Sequence, residues 1–337
     1  MGELVQRLSG VCRTYKEIPM IMESEKHVGL AIDGCFEILH SYLYHGWREH
    51  DVEFLPHAKT VAMPADLKRV VNEHPANPPN NGKFRVYRIV PDSTERPELQ
   101  VQLAPTDYFT TYPIQQQLFK QILPDGSGGL VSPHEKYGKK FLDFGDHPLP
   151  NIVCLHIVVV LPDDRLVVSQ RVRSSDGINW QHGRWSCSIE EQMTVKHGGN
   201  EKSREDRTFF DAVYAGCEEE LGVTHDRVTE VRILSIVVDE TYNVDPIALV
   251  RVVDANIDDI KGYCMMKARD GMNRELRRVE QINWDFASIV PILRYKPYSL
   301  AGEEVQPEDW HHTTRMRLLV SLFDRFGIED SMEAITA

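Results

Sequence analysis

Three consecutive carboxylates, Glu218-Glu219-Glu220, stand directly before Leu221-Gly222-Val223. Ahead of them, Phe210, Val213, Tyr214, Cys217 and Leu221 recur as one apolar stripe of a helix, and Gly222 is a natural carboxyl-terminal cap. The acids therefore crowd a helix end where the macrodipole is already negative and like charges repel. Each effect costs on the order of a few tenths of a kcal/mol. Such a cluster favours a bound cation. Mg2+ suits it, because this ion takes carboxylate and water oxygens and bridges to a substrate's phosphates; Mn2+ is the other candidate. Glu190, Glu191 or Glu205 could add an oxygen from the preceding segment, with Glu191 foremost, and Asp239, Glu240 or Glu275 could serve as a distal base. Taken one at a time, each of these additional acids reads as a solvated surface group. Gly216, one turn before Glu219, costs about 1 kcal/mol relative to alanine inside a helix. Either close packing or a lost metal ligand accounts for it.

The elements that must position these residues are clearest in the second half. Ile152 to Leu161 is a β-branched strand, Pro162-Asp163-Asp164 a turn, and Arg165 to Arg171 the returning strand. A short strand at Arg184 to Ile189 follows a polar loop, and Trp185 on it reads as core. After the acidic helix come strands at 228–238, 247–253 and 276–282, with a stretch at 262–268 among them. Helices are predicted at 284–293 and 313–326.

In the first half, Val28, Leu30, Ala31, Cys35, Phe36, Leu39 and Leu43 recur at spacings near 3.6, which predicts that the first ~45 residues are helical. Residues 65–73 read as a short helix, 83–90 as a half-buried strand, and 114–122 as a helix. A boundary near residue 148 would divide an amino-terminal α+β domain, 1–147, from a second domain, 148–337. The pair His311-His312 reads as a surface feature, since no third ligand lies near it in the sequence.

Composition narrows the classes. With 42% hydrophobic and 26% charged residues this is an ordinary globular chain, and its longest apolar run is too short to cross a bilayer. No signal-peptide pattern opens it, and the cytoplasm is the expected compartment. A net charge of -13 opposes general adhesion to nucleic acid, and Arg274, Arg277 and Arg278 lie within a mixed-charge segment. Six scattered cysteines form no zinc-ligand pattern and read as reduced core residues.

The hairpin ending in Gln170-Arg171, the Gly183-Arg184-Trp185 strand and the helix ending Glu219-Glu220-Leu221-Gly222-Val223 resemble the Nudix family over roughly 152–293. The family signature is G-x5-E-x7-R-E-U-x-E-E-x-G-U, U being a bulky aliphatic residue. Only its end is met. Cys217 serves as the apolar position, Ala215-Gly216 replace Arg-Glu, Arg207 falls where the first glutamate belongs and Glu201 where the glycine belongs. Gly198-Gly199 are the nearest glycine pair, and Ser188-Ile189-Glu190-Glu191 is similar to a divergent branch with a Ser-x-x-Glu stretch after the tryptophan strand.

The resemblance implies an α/β/α sandwich with a mixed sheet, preceded by the amino-terminal α+β part. It also implies an Mg2+-dependent hydrolase of a nucleoside diphosphate or related organic diphosphate, with Glu219, Glu220 and Glu191 at the metal. Arg171 would either face the bound phosphates or make a structural salt bridge. The other reading is a Nudix-fold domain that binds a nucleotide or phosphometabolite without turnover, as a sensor or interaction module. An isomerase of the isopentenyl-diphosphate type is a remoter third. The expected partner is a small diphosphate, with no membrane, and self-association is left open.

Overall fold

The computed structural model describes residues 20–24, 27–41, 45–76, 82–92, 98–172, 183–195, 204–269 and 276–337. In chain order the strands are β1 (Met20–Ser24), β2 (His27–Ile32), β3 (Cys35–His40), β4 (Val52–Leu55), β5 (Gly82–Asp92), β6 (Glu98–Asp107), β7 (Leu123–Pro124) and β8 (Leu130–Val131). Then follow β9 (Cys154–Val160), β10 (Arg165–Arg171), β11 (Trp185–Ser186), β12 (Ile189–Gln192), β13 (Val228–Val238), β14 (Val244–Val252) and β15 (Leu276–Asn283). The helices are α1 (Ala65–Glu73), α2 (Tyr108–Gln117), α3 (Pro133–Tyr137), α4 (Phe209–Leu221), α5 (Ile257–Met266), α6 (Phe286–Leu293), α7 (Thr314–Phe326) and α8 (Ile328–Thr336).

The main sheet runs β1-β2-β3-β13-β14-β9-β10-β11, with β12 also beside β9 and β15 beside β10. It is mixed: β9 pairs parallel with β14, His156 opposite Ile247, and antiparallel with β12. Strand β9 reads as a continuous apolar run because both of its faces are covered. Leu155, Ile157 and Val159 pack with α4 and α5 through Phe210, Val213, Cys217 and Ile260. Val158 and Val160 pack on the other face with α6, α7 and α8 through Ile289, Met316, Leu319 and Ile335. This is an α/β/α sandwich, as expected. Among the described residues no helix is long and apolar enough to cross a membrane.

Helix α4 starts at Thr208, whose hydroxyl accepts from the Asp211 N–H while Asp211 reaches back to the Thr208 N–H. It stops at Gly222, which takes φ 66° and donates to the Glu218 carbonyl at 3.0 Å. A Cβ there would also lie 2.8 Å from the Tyr263 carbonyl oxygen, so glycine is required twice over.

The first part of the chain departs from expectation. Residues 27–40 form the β2–β3 hairpin, not a helix, turning at Asp33 (φ 49°) and Gly34 (φ 81°). Asp-Gly is the preferred pair for a turn needing two positive φ angles, and it outweighs the helical spacing. The stretch at 262–268 includes the end of α5, whose start is capped by Asn256. The expected boundary near residue 148 is crossed by the sheet, since β3 pairs with β13. Leu149, at the boundary itself, is 1% exposed. The small sheet β4-β6-β5 shares its core with α4, Phe54 meeting Phe209 edge-to-face at 5.0 Å.

Candidate functional site

Strand β12 carries two adjacent glutamates, and strand geometry sends them to opposite faces of the sheet. Glu191 faces α4. A Cβ on residue 216 would lie 2.9 Å from the Glu191 Cβ and 3.1 Å from Ile157 Cδ1, so Gly216 is the close-packing residue that lets α4 settle on β12 and β9. Glu191 rises through the space a side chain at 216 would take. Its carboxylate meets Arg204 at 2.7 Å, Glu219 meets the same guanidinium at 3.1 Å, and the fully buried Asp206 meets it at 2.6 Å. Glu219 also pairs with Arg269. Burial pushes the Glu191 carboxyl up to about 7, a rise that Arg204 opposes and Glu219 reinforces.

Of the three predicted ligands, Glu191 and Glu219 are thus brought onto one cationic centre. Glu220 lies apart: it is 2% exposed and 3.6 Å from Arg171. Glu191 and Glu219 offer carboxylate oxygens, the donor type that Mg2+ or Mn2+ takes. The guanidinium of Arg204 stands at that centre, and a metal requires it to swing out. Glu205 and Glu240 are exposed, and Glu275, Gly198-Gly199 and Arg274 lie outside the described residues.

Glu190 faces the other way, into a cavity of about 120 Å³ between the sheet, the start of α7 and helix α2. Its lining includes Cys154 and His156 of β9, Asp245 of β14, and His311 and His312. The histidine pair is therefore not a surface feature. His311 is 2% exposed, its N–H bonds to the Trp185 carbonyl, and its Nδ1 lies 3.1 Å from Glu190. Its third partner is 121 positions away in the sequence (311 minus 190), where only the fold could place it. Arg317, fully buried on α7, binds Glu190 and donates to Ser186 Oγ at 2.9 Å and the Cys187 carbonyl at 3.1 Å.

Burial raises the Glu190 carboxyl, but His311 and the Arg317 guanidinium outweigh it and hold the group well below the usual carboxylate range. Burial pushes Asp239 up to about 6. Asp245 is driven well above its ordinary value by burial and by Asp239. At the rim, Gln115 of α2 donates to Asn243 Oδ1 at 2.7 Å, tying the amino-terminal part to the turn between β13 and β14.

No known family profile matches the chain, and no curated protein matches it either. Solved structures similar to it include a MutT NUDIX hydrolase from Burkholderia pseudomallei, at 17% identity and TM-score 0.30, over 50% of this chain and 95% of that one. The MutT protein from Methanosarcina mazei Go1 is 13% identical with TM-score 0.30, over 52% and 94%. DR0079 from Deinococcus radiodurans is 14% identical with TM-score 0.30, over 50% and 80%. At such scores the likeness adds nothing to the geometry of the chain itself.

Proposed function

We propose that the α4 end is the working site of a Nudix-like hydrolase that cleaves an organic diphosphate with Mg2+ or Mn2+. The observation that carries this reading is Glu191. It stands over Gly216 and joins Glu219 on one cationic centre, restoring from β12 the carboxylate that the helix lacks. A bound cation would neutralise the diphosphate and supply an activated water. The chain itself contributes Glu191 and Glu219 to hold the ion. Glu220 contributes by fixing the Arg171 guanidinium at the end of β10, beside the place where phosphates would lie.

Arg204 favours the second reading, a domain that binds a phosphorylated small molecule without turnover, because buried Asp206 anchors the guanidinium in the cation's place. One experiment separates the two. The purified chain is incubated with nucleoside diphosphate derivatives and Mg2+ or Mn2+, and phosphate or nucleotide release is followed beside Mn2+ binding. Turnover that falls at least ~10–100-fold in Glu219→Gln and Glu191→Gln supports the hydrolase. No turnover and no Mn2+ binding in the wild type, with Mn2+ binding gained in Arg204→Gln, would establish Arg204 as a permanent substitute for the metal and overturn it.

A further inference from the structure

On the face opposite α4, Cys154, His156 and Glu190 each bring one ligand atom to within 4.8 Å of the others. The alternation of β9 and β12 puts them there: Val158 and Val160 share the face of His156, while Leu155 and Ile157 face α4. The cluster lines the 120 Å³ cavity, so a ligand has space beside it.

A second observation concerns atoms that the fold leaves unmatched. Asp245 lines the same cavity, is 1% exposed, and neither of its oxygens has a hydrogen-bond partner among the described residues. His156, 3% exposed, likewise has no partner for Nδ1, and its Nε2 lies 3.6 Å from Asp245 Oδ2. Buried polar atoms are nearly always matched by protein, water or an ion.

We propose that this cluster binds one borderline transition-metal ion of the Zn2+ class through Cys154 Sγ, a ring nitrogen of His156 and a carboxylate oxygen of Glu190. The ligand types decide the class: thiolate and imidazole select zinc-like ions, and Mg2+ has no preference for either. Three protein ligands leave one position of a tetrahedral ion open to the cavity, the arrangement that admits a water or a small ligand. On binding, the Cys154 S–H bond gives its proton to solvent as the sulfur–metal bond forms, and no electron is transferred.

Arg317 already neutralises Glu190, so the Cys154 thiolate offsets one of the two positive charges of the ion. The surrounding groups then have definite parts. Arg317 and His311 orient Glu190 from α7 and the segment before it, Asp245 faces His156 from β14, and Asp239 and His312 complete the polar wall. The site stands apart from the α4 end and does not depend on the hydrolase reading.

Co2+ added to the full-length, metal-stripped chain tests the proposal, because a cobalt–thiolate bond gives a charge-transfer absorption that carboxylate sites do not. The band is expected at one Co2+ per chain, to be displaced by Zn2+ and not by excess Mg2+, and to persist in Glu219→Gln. Cys154→Ser should abolish it and weaken Zn2+ binding at least ~10-fold. In parallel, Zn2+ should slow alkylation of Cys154 in the wild-type chain, read by peptide mass spectrometry, a measurement that needs no folded variant. Absence of the band, its persistence in Cys154→Ser, or unchanged alkylation with Zn2+ present would overturn the assignment.

Discussion

At the scale of single residues, Gly216 and Glu191 act as one unit, the first making room for the second. Gly216→Ala should therefore destabilise the protein even though alanine is the better helix former by about 1 kcal/mol. The added methyl meets Glu191 Cβ at 2.9 Å and Ile157 Cδ1 at 3.1 Å, and overpacking of this kind costs about 1–3 kcal/mol. Urea denaturation measures it, and a gain in stability would mean that α4 can lift away freely. Glu191 also links stability to pH. Its carboxyl titrates near 7 in the folded chain and near 4.5 when unfolded, so its contribution is fully present below about 4.5 and is lost as pH rises through about 7. Glu191→Gln should flatten that segment of the pH–stability profile, as melts across the window would record.

At the scale of elements, α7 and β12 are clasped by Arg317, a buried cation whose hydrogen bonds reach Ser186, Cys187, Ile189 and Thr313 as well as Glu190. Arg317→Met leaves the buried Glu190 carboxylate without its guanidinium, with His311 still beside it, and breaking such a pair costs roughly 3–5 kcal/mol. Adding Glu190→Gln should restore part of that loss in chemical denaturation, and an additive double variant would show that the two do not interact. Elements whose signals are local could be read from the sequence: the β9–β10 hairpin around Pro162-Asp163-Asp164, the stripe of α4 and its Gly222 cap. The β2–β3 hairpin was also written locally, in Asp33-Gly34, but the apolar spacing around it imitates a helix. The cavity cluster was not legible. Cys154, His156, Glu190, Asp245 and His311 have no motif spacing and become neighbours only through strand order, in particular the parallel pairing of β14 with β9. Nor did anything in the spacing announce Arg204, which enters the carboxylate group from the end of a long polar segment.

For the whole molecule, the amino-terminal strands are part of the sandwich. Leu30, Ile32 and Cys35 share a core with Leu234, Val237 and α7, and Asp33 binds Arg315 of α7 at 2.8 Å. A fragment of residues 148–337 should expose the edge of β13 together with this apolar surface. It is expected to aggregate or to lose the sharp two-dimensional NMR spectrum of the full chain; a soluble, well-dispersed fragment would show that the second half folds alone.

Strand β12 sets the two faces of the sheet in a fixed evolutionary relation. Because its glutamates are consecutive, gaining or losing one residue between Ser188 and Ile189 would turn the strand over, swapping the α4 face and the cavity face in a single event. Neither face of the strand can then drift in length independently of the other. Lineages that remodel the loops around this strand should keep the segment from Trp185 to Gln192 at constant length even where its side chains vary.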